Sequence, residues 1–342
     1  MNPRIKRIFS IVAHSLDCVE LRAGTWEASS HVLQDDSRSG TLLNIIKSLN
    51  GNASIQDIAA QYQIPVADVE GVLEQLKRLD AIEFGESTAF DYYINHFDAT
   101  LKKYTPENTF RFPVMFVNDD DISREIARIL HNETLPEKLQ IKFFNDNFTT
   151  LCHDFDPKIM HEGLAFEKLV EKFESWRGHF IVFTQPFIHP IACHYVNRIC
   201  YALEIPWMHV AVDGPSLFVG PIFTGKVGPC YDCFETRILM NIKQQESYLH
   251  YKEALARGAV VSPGAPMHQI IASLLASHAA IEILNYCLTE FSFAVRKVLS
   301  IYLCTMEMSY NEVLALSGCE CCGSLARRDD QQLYFDVQSL IA

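Results

Sequence analysis

Two short stretches, VGPCYDCFETR at residues 227–237 and SGCECCGSL at residues 317–325, decide how this chain folds. Each contains a CxxC pair, which places two thiolates on one tight turn, and two such turns can enclose a tetrahedral Zn²⁺ ion. Four thiolates leave no open position for water, so the pattern predicts a structural zinc site rather than a catalytic one. The predicted ligands are Cys230, Cys233, Cys319 and Cys322.

The two cysteine pairs lie far apart in the sequence, so a shared metal ion would tie the end of the chain to its middle. The alternative is that one or both pairs are ordinary buried thiols or disulfides. Cys321 lies between the last two predicted ligands and is interpreted as a bystander.

The composition is that of a folded, acidic protein: 342 residues, 49% of them hydrophobic, with a formal net charge of −13. This length allows two domains. The negative charge disfavours nucleic acid as a partner. Eleven cysteines and an N-terminal apolar run too short for a signal peptide predict a reducing, cytoplasmic location. The longest apolar stretch, residues 270–284, contains His278 and Glu282, so no membrane span is expected.

Residues 1–88 show the pattern of a winged helix-turn-helix with the element order β-β-β-α-α-α. β-rich runs occupy residues 4–12 and 17–33, and three amphipathic helical patterns follow them. Ser54 is the predicted N-cap of the second helix, with Asp57 three residues later in a capping-box position.

The predicted third helix is too acidic for the usual DNA-binding role of such a module, because its surface would repel phosphate. An extended peptide could instead add a strand beside the third strand, with its side chains entering a groove against the third helix. The charged residues of this helix region are Asp68, Glu70, Glu74 and Asp80 against Lys77 and Arg78.

The segments LLNIIKSLNGNASIQDIAAQY (residues 42–62) and VEGVLEQLKRLDAIEF (residues 69–84) resemble the leader-peptide recognition element of ribosomal-peptide maturation proteins. The resemblance implies that a leader peptide pairs with the edge strand Ala28, Ser29, Ser30, His31, Val32 and Leu33. The spacing leaves two helix faces open. Either Val69, Leu73 and Leu76 form the specificity pockets, or these three are core residues and the groove is lined by Val66, Glu70, Glu74 and Lys77.

A second domain is predicted over residues 110–342, after a helical connector at residues 89–109. Strand-like and helix-like segments alternate from FRFPVMFVN (residues 110–118) to PWMHVAVDG (residues 206–214). Alternation of this kind predicts an α/β fold with a mostly parallel sheet between helices.

The stretch FIVFTQPFIHPIACHYVNRICYALEIPWMHVAVDGPSLFVGPIFTGKVGPCYDCF, residues 180–234, resembles the ThiF-like family, whose adenylating fold is shared with ubiquitin-activating enzymes. In that family a strand ends at a metal-binding aspartate. After it come a helix that carries an asparagine, then a proline, then a hairpin, and then the first CxxC pair. Asn197, Pro206, a hairpin over residues 212–224 and Cys230 keep that order. The resemblance implies a Rossmann-type domain.

This chain departs from the ThiF-like family at three places that the family uses for its ATP chemistry. The turn at residues 117–121, VNDDD, has no glycine, and three carboxylates face the place where phosphate would lie. The position of the metal-binding aspartate holds Thr184, Gln185 and Pro186. Residues 234–266 contain no cysteine that could accept a product. We therefore expect a scaffold without ATP chemistry.

A cluster of potential metal ligands follows the strand that ends near Gln185. It comprises His189, Cys193, His194 and Cys200. A second metal site there is the weaker interpretation, because small buried residues are needed on the apolar face of this helix and cysteine fills that role well.

The combined resemblance is to the partner proteins of YcaO-type azoline cyclodehydratases, as in microcin B-type and other thiazole- and oxazole-modified peptides. It implies a non-catalytic subunit that binds the leader of a precursor peptide and presents the peptide to a separate ATP-dependent YcaO-type subunit. Further expected partners are a flavin-dependent dehydrogenase and a second copy of the chain. The alternative is a genuine ATP-dependent adenylating enzyme that modifies a ribosomal peptide.

Overall fold

The chain folds into two compact units, Met1–Ala99 and Thr100–Ala342. The computed structural model describes residues 2–26, 29–85, 88–97, 101, 110–131, 138–144, 148–152, 155, 159–160, 162–261 and 266–323. Of the predicted connector, residues 89–109, the structure describes residues 89–97 and 101.

The first unit contains a three-stranded antiparallel sheet in the order β2-β3-β4 and a separate antiparallel pair of β1 with β5. The run over residues 4–12, expected to form one strand, is therefore two strands with different partners. The chain turns between them, where Phe9 N–H donates to the carbonyl of Lys6 at 3.0 Å. The strands are β1 Pro3–Ile5, β2 Phe9–Ala13, β3 Cys18–Ala23, β4 Ser29–Gln34 and β5 Ile82–Phe84.

The three predicted helices of this unit are confirmed, and a fourth helix follows at the start of the predicted helical connector. The Ser54 hydroxyl accepts from Asp57 N–H at 3.2 Å and Asp57 Oδ2 accepts from Ser54 N–H at 3.0 Å, so the predicted capping box is present. Apolar residues of the first three helices pack against β3, with Leu21 and Ile58 in the core. The helices are α1 Leu42–Ser48, α2 Ile55–Tyr62, α3 Val66–Arg78 and α4 Ala89–His96.

The second unit is built on a seven-stranded sheet in the order β12-β11-β10-β9-β8-β6-β7. The four strands β7, β6, β8 and β9 are parallel neighbours, and β10 to β12 continue the sheet antiparallel. This confirms the expected α/β architecture. The strands are β6 Val114–Phe116, β7 Ile141–Phe143, β8 Phe180–Gln185, β9 Trp207–Asp213, β10 Ser216–Phe223, β11 Lys297–Tyr302 and β12 Glu307–Glu312.

Helices cover this sheet, and all six residues of β8 are buried, as expected for a parallel strand enclosed on both faces. The helices are α5 Asp121–Leu130, α6 Phe148–Leu151, α7 Gly163–Glu171, α8 Pro190–Leu203, α9 Tyr231–Asn241, α10 Gln245–Ala256 and α11 Gln269–Thr289. A 3₁₀ turn, Glu174–Trp176, precedes β8.

Helix α11 is long and apolar enough to cross a membrane, but 61% of its apolar window is buried inside the protein. Its Glu282 is buried and accepts hydrogen bonds from Ser292 and from the Tyr310 hydroxyl. Burial against the protein and a satisfied internal carboxylate are the features of a core helix.

The strand order places a crevice at the carboxyl ends of β6 and β8. The chain leaves β6 for β7 on one side and then returns to β8 on the other, so β6 and β8 flank the point where the topology reverses. Open α/β sheets bind their ligands in this position. Residues 117–121 and 184–186, which depart from the ThiF-like pattern, lie at these two strand ends.

Candidate metal centre and the neighbouring polar sites

The first cysteine turn is held in place by a buried asparagine. Cys230 is the N-cap residue of α9, and Cys233 lies in the first turn of that helix. Asn197 on α8 accepts a hydrogen bond from Tyr231 N–H at 2.9 Å through its side-chain oxygen. This bond satisfies one of the free N–H groups at the start of α9 and fixes the direction of both thiols. Asn197 is the helix asparagine that the ThiF-like resemblance singled out.

The second cysteine turn folds tightly on itself. Gly323 N–H donates to the carbonyl of Cys319 at 2.9 Å, and a Cβ at Gly323 would lie only 2.4 Å from that same oxygen. Glycine is therefore required at the end of this turn. Leu316 N–H donates to Cys233 Sγ at 3.3 Å, which joins the second turn to the first.

The four predicted ligands converge. Cys230 Sγ lies 3.5 Å from Cys319 Sγ, and Cys233 Sγ lies 3.3 Å from Cys322 Sγ. All four sulfur atoms lie within 4.8 Å of one another, and all four residues are buried. Zinc–sulfur bonds of about 2.3 Å in a tetrahedron would place the sulfurs roughly 3.8 Å apart. The cluster could therefore hold a metal ion of that size with thiolates alone.

Cys321 points to a different set of partners. It is buried, and its sulfur accepts from the Asn197 side-chain amide at 3.5 Å. The sulfur also lies within 4.8 Å of Cys230 Sγ and a carboxylate oxygen of Asp232. A hydrogen bond with Cys230, together with burial, raises the pKa of the Cys321 thiol. These contacts agree with a protonated neighbour outside the four-sulfur cluster.

The crevice between β6 and β8 is occupied by the protein's own side chains. Asp120 is the N-cap residue of α5 and accepts from the N–H groups of Ile122 and Ser123, both at 2.9 Å. Its second oxygen accepts from the Thr184 hydroxyl at 2.7 Å. These N–H groups are the ones that a helix N-terminus would offer to a phosphate. The Asp120 carboxylate therefore already fills the anion position of this helix.

The end of β8 carries a neutral hydrogen-bonded network. The Gln185 side-chain oxygen accepts from the Cys193 thiol at 3.0 Å and from His209 Nε2 at 3.0 Å. Burial lowers the pKa of His209 to about 4, so the imidazole is neutral, and burial raises the pKa of the Cys193 thiol. The strand end that the family uses for a metal-binding aspartate thus holds three uncharged groups in this chain.

The residues of the weaker second metal cluster point to different surroundings. The His189 ring caps α8, where Nδ1 accepts from Ala192 N–H at 3.1 Å. Cys193 joins the Gln185 network, Cys200 lies in the hydrophobic core, and His194 faces α9. Among the described residues, these four do not form a ligand set.

Sequence reasoning missed a charge network between α8, α9 and α10. His194 Nδ1 bonds Asp232 Oδ1 and His194 Nε2 bonds Glu235 Oε2, both at 2.7 Å. Lys252 Nζ donates to both Glu235 oxygens at 2.9 and 2.7 Å, and the Tyr248 hydroxyl donates to Glu235 at 2.6 Å. The available signal was the spacing of Asp232 and Glu235, which places two acids on one helix face.

The network favours its charged forms despite burial. Desolvation opposes protonation of His194, but hydrogen bonds to Asp232 and Glu235 outweigh it and raise the pKa of His194 to about 9. Desolvation likewise opposes ionisation of Glu235, but His194 and Lys252 lower the pKa of Glu235 to about 2. Two cations and two carboxylates therefore balance one another.

The predicted peptide-binding residues of the first unit separate into exposed and buried groups. Val69, Leu73 and Leu76 are 0%, 3% and 0% exposed and pack in the core. Val66, Glu70, Glu74 and Lys77 are exposed on α3. The residue spacing on α3 did not decide between the two helix faces. In the structure, the face with Val66, Glu70, Glu74 and Lys77 is accessible to a ligand, and the face with Val69, Leu73 and Leu76 is not. The reason is that Val69, Leu73 and Leu76 are the residues with which α3 packs on its own unit.

The predicted edge strand falls on β4. In the described sheet β4 pairs with β3 and forms one edge. Val32 is 60% exposed and Leu33 is buried, while Ser29 and Ser30 are exposed and His31 is half-buried. Ala28 lies outside the described residues.

Protein-family models and curated proteins gave no match to this chain. Solved structures share its fold. A heterocyclase in complex with substrate and cofactor has a TM-score of 0.65 at 15% identity, covering 96% of this chain and 40% of that one. The heterocyclase TruD has a TM-score of 0.63 at 15% identity, covering 94% of this chain and 43% of that one.

Escherichia coli MccB, crystallised with AMPCPP and MccA, has a TM-score of 0.55 at 12% identity, covering 94% of this chain and 100% of that one. The chain thus spans less than half the length of the two heterocyclases and the whole length of MccB. The likeness to both confirms the expected resemblance at the level of the fold.

We expect Cys233→Ser and Cys322→Ser to lose bound zinc and solubility together, because ligand binding at a closed thiolate site contributes directly to folding. Wild-type protein should contain about one Zn²⁺ per chain by plasma mass spectrometry. Cys321→Ser is the matched control and should keep its zinc. Well-folded wild-type protein without zinc would contradict the assignment.

We expect calorimetry of the full chain with Mg²⁺–ATP to show no binding, because the Asp120 carboxylate occupies the anion position at the start of α5. Asp120→Asn is the matched variant, since asparagine retains the cap while removing the negative charge. Micromolar affinity in the wild-type protein would show that this crevice still accepts a nucleotide.

Proposed function

We propose that this chain is the leader-peptide-binding scaffold of a thiazole- or oxazole-forming cyclodehydratase. It would present a ribosomal precursor peptide to a separate, ATP-dependent YcaO-type subunit. The fold shared with heterocyclases over nearly the whole chain supports this proposal. The observation that carries it is that β4, in the described part of the first unit, pairs with β3 alone and so forms an edge of the sheet.

The edge of β4 suits an added peptide strand. Hydrogen bonds from the main-chain groups of a sheet edge give affinity that depends little on the sequence of the bound peptide. The exposed Val32 side chain offers an apolar contact to such a strand. In this proposal the residues from Ser29 to Leu33 bind the leader backbone.

The exposed face of α3 would supply specificity. Glu70 and Glu74 are both exposed, with Lys77 one turn further on. Two carboxylates in this position favour basic leader residues by charge complementarity. The same two charges repel nucleic acid, which supports a peptide rather than DNA as the partner.

The second unit would act as scaffold rather than catalyst. The four-cysteine cluster joins distant parts of the chain and, as a structural Zn²⁺ site, would leave no open coordination position. The Asp120 and Gln185 contacts fill the crevice with internal hydrogen bonds. Tethering the precursor near the YcaO-type subunit raises its effective concentration there. A second copy of the chain and a flavin-dependent dehydrogenase complete the proposed assembly.

An adenylating enzyme acting on a ribosomal peptide is the second candidate. The observation in its favour is that the chain matches E. coli MccB over the full length of that protein. The two candidates differ in one property, because only the adenylating enzyme must bind ATP without a partner subunit. The calorimetry with Mg²⁺–ATP described above separates them.

We expect Ser30→Pro to weaken leader binding by about 10-fold or more, because proline removes an N–H group and distorts the edge that the peptide would extend. Fluorescence polarisation with a fluorescein-labelled leader of the precursor peptide measures the effect on the full chain. Ser10→Pro, on β2 at the opposite edge of the same sheet, is the matched control and should bind the leader as wild type does.

Circular dichroism and zinc content establish that both proline variants remain folded. Equal loss of affinity in the two variants would mean that the sheet as a whole matters and not the β4 edge. Unchanged affinity in Ser30→Pro would place the leader elsewhere on the chain.

A further inference from the structure

A cavity of about 690 Å³ lies in the second unit between α8, α9, α10 and residues 316–320. It is separate from the crevice at the ends of β6 and β8, since none of the crevice residues lines it. Its size is that of a small-molecule or short-peptide site. One part of its wall is apolar and is formed by Met160, Ile191, Leu249 and Leu316.

Most of the charge on the cavity wall is already neutralised. His194 and Lys252 bond to Asp232 and Glu235 at 2.7 Å, so this group carries no net charge toward a ligand. Glu253 pairs with Arg257 at 3.4 Å. The His194, Asp232, Glu235 and Lys252 contacts join the three helices, whereas the Glu253–Arg257 pair lies along α10 alone. The attraction of a charged ligand is therefore left to the remaining wall residues.

Arg198 is the exception. It lines the cavity, and among the described residues its guanidinium forms no ion pair. Its Cζ lies 5.2 Å from the centroid of the Phe166 ring, and this cation–π contact orients the planar group without neutralising it. A half-buried cation that has no ion-pair partner among the described residues and lies beside an apolar surface suits an anion with a hydrophobic body.

The charge around Arg198 narrows the class of anion. Guanidinium binds carboxylate and phosphate through the same pair of parallel hydrogen bonds. Glu320 also lines the cavity and forms no ion pair among the described residues. A dianionic phosphate would meet this second negative charge, whereas a monocarboxylate places a single charge against Arg198.

We propose that this cavity binds a monocarboxylate carried on an aliphatic body, with Arg198 pairing the carboxylate and Ile191, Leu249 and Leu316 contacting the body. Two sources present this chemistry: the free C-terminus of a peptide and a small branched-chain acid. The site is distinct from the proposed leader site on β4 and does not depend on it.

The test is calorimetry of full-length, zinc-loaded protein with three probes. These are N-acetyl-Ala-Leu-Leu with a free carboxylate, the same tripeptide as its C-terminal amide, and 4-methylpentanoate. The free tripeptide should bind about 10-fold or more tightly than the amide, as expected for one charge-assisted pair. Binding of 4-methylpentanoate as well identifies a general aliphatic-acid site, and binding of the tripeptide alone identifies a peptide C-terminus.

Variants test whether the preference for the free acid over the amide arises in this cavity. Arg198→Gln should abolish the preference for acid over amide, and Arg124→Gln, an exposed arginine on α5, should leave the preference unchanged. Leu249→Trp lies at an exposed position and fills the apolar wall, so it should weaken all probes even if Arg198→Gln fails to fold. Equal affinity for acid and amide, no binding at millimolar concentration, or an undiminished preference in Arg198→Gln would each overturn the proposal.

Discussion

Convergence of the two cysteine turns is the constraint on which the second unit depends. Cys230 and Cys319 are 89 residues apart in the chain, and their sulfurs lie 3.5 Å apart. Between them lie α9, α10, α11 and the last two strands of the sheet, so a bound Zn²⁺ ion would close a long loop. Closing such a loop restricts the unfolded chain, and the metal-binding energy becomes folding energy. Residues 316–320, which form one wall of the cavity, lie beside this cysteine cluster, and Leu316 N–H bonds Cys233 Sγ.

At the crevice between the ends of β6 and β8, the chain's own side chains bond to one another. The start of α5 accepts a side-chain carboxylate from Asp120 in place of an external anion. The end of β8 holds the neutral Gln185, Cys193 and His209 network. In both places the polar groups at the strand ends are hydrogen-bonded to one another within the chain.

Charge is distributed in opposite ways in the two units. In the second unit, half-buried His194 and Lys252 are matched by Asp232 and Glu235, which offsets the cost of removing these charges from water. In the first unit, the carboxylates of α3 are exposed and remain available to a partner. The helix contacts around Glu235 are thus balanced in charge, whereas the exposed face of α3 in the first unit carries negative charge.

Local patterns in the sequence were sufficient for part of this structure. The CxxC spacing, the Ser54 capping box, the three helices after residue 41 and the apolar run of β8 each depend on neighbours within a few residues. The spacing of apolar residues along the sequence shows directly which near neighbours share a helix or strand face. The alternation of strand-like and helix-like segments predicted the sheet of the second unit, and the resemblance to the ThiF-like family singled out Asn197.

Tertiary structure alone decided the features that join distant residues. It split residues 4–12 into two strands, because β1 pairs with β5 nearly eighty residues later. It placed Val69, Leu73 and Leu76 in the core rather than in a groove, and it brought His194 to Glu235 and Lys252 across three helices. Sequence periodicity shows that a helix face is apolar or acidic, but which element covers that face depends on how the whole chain packs.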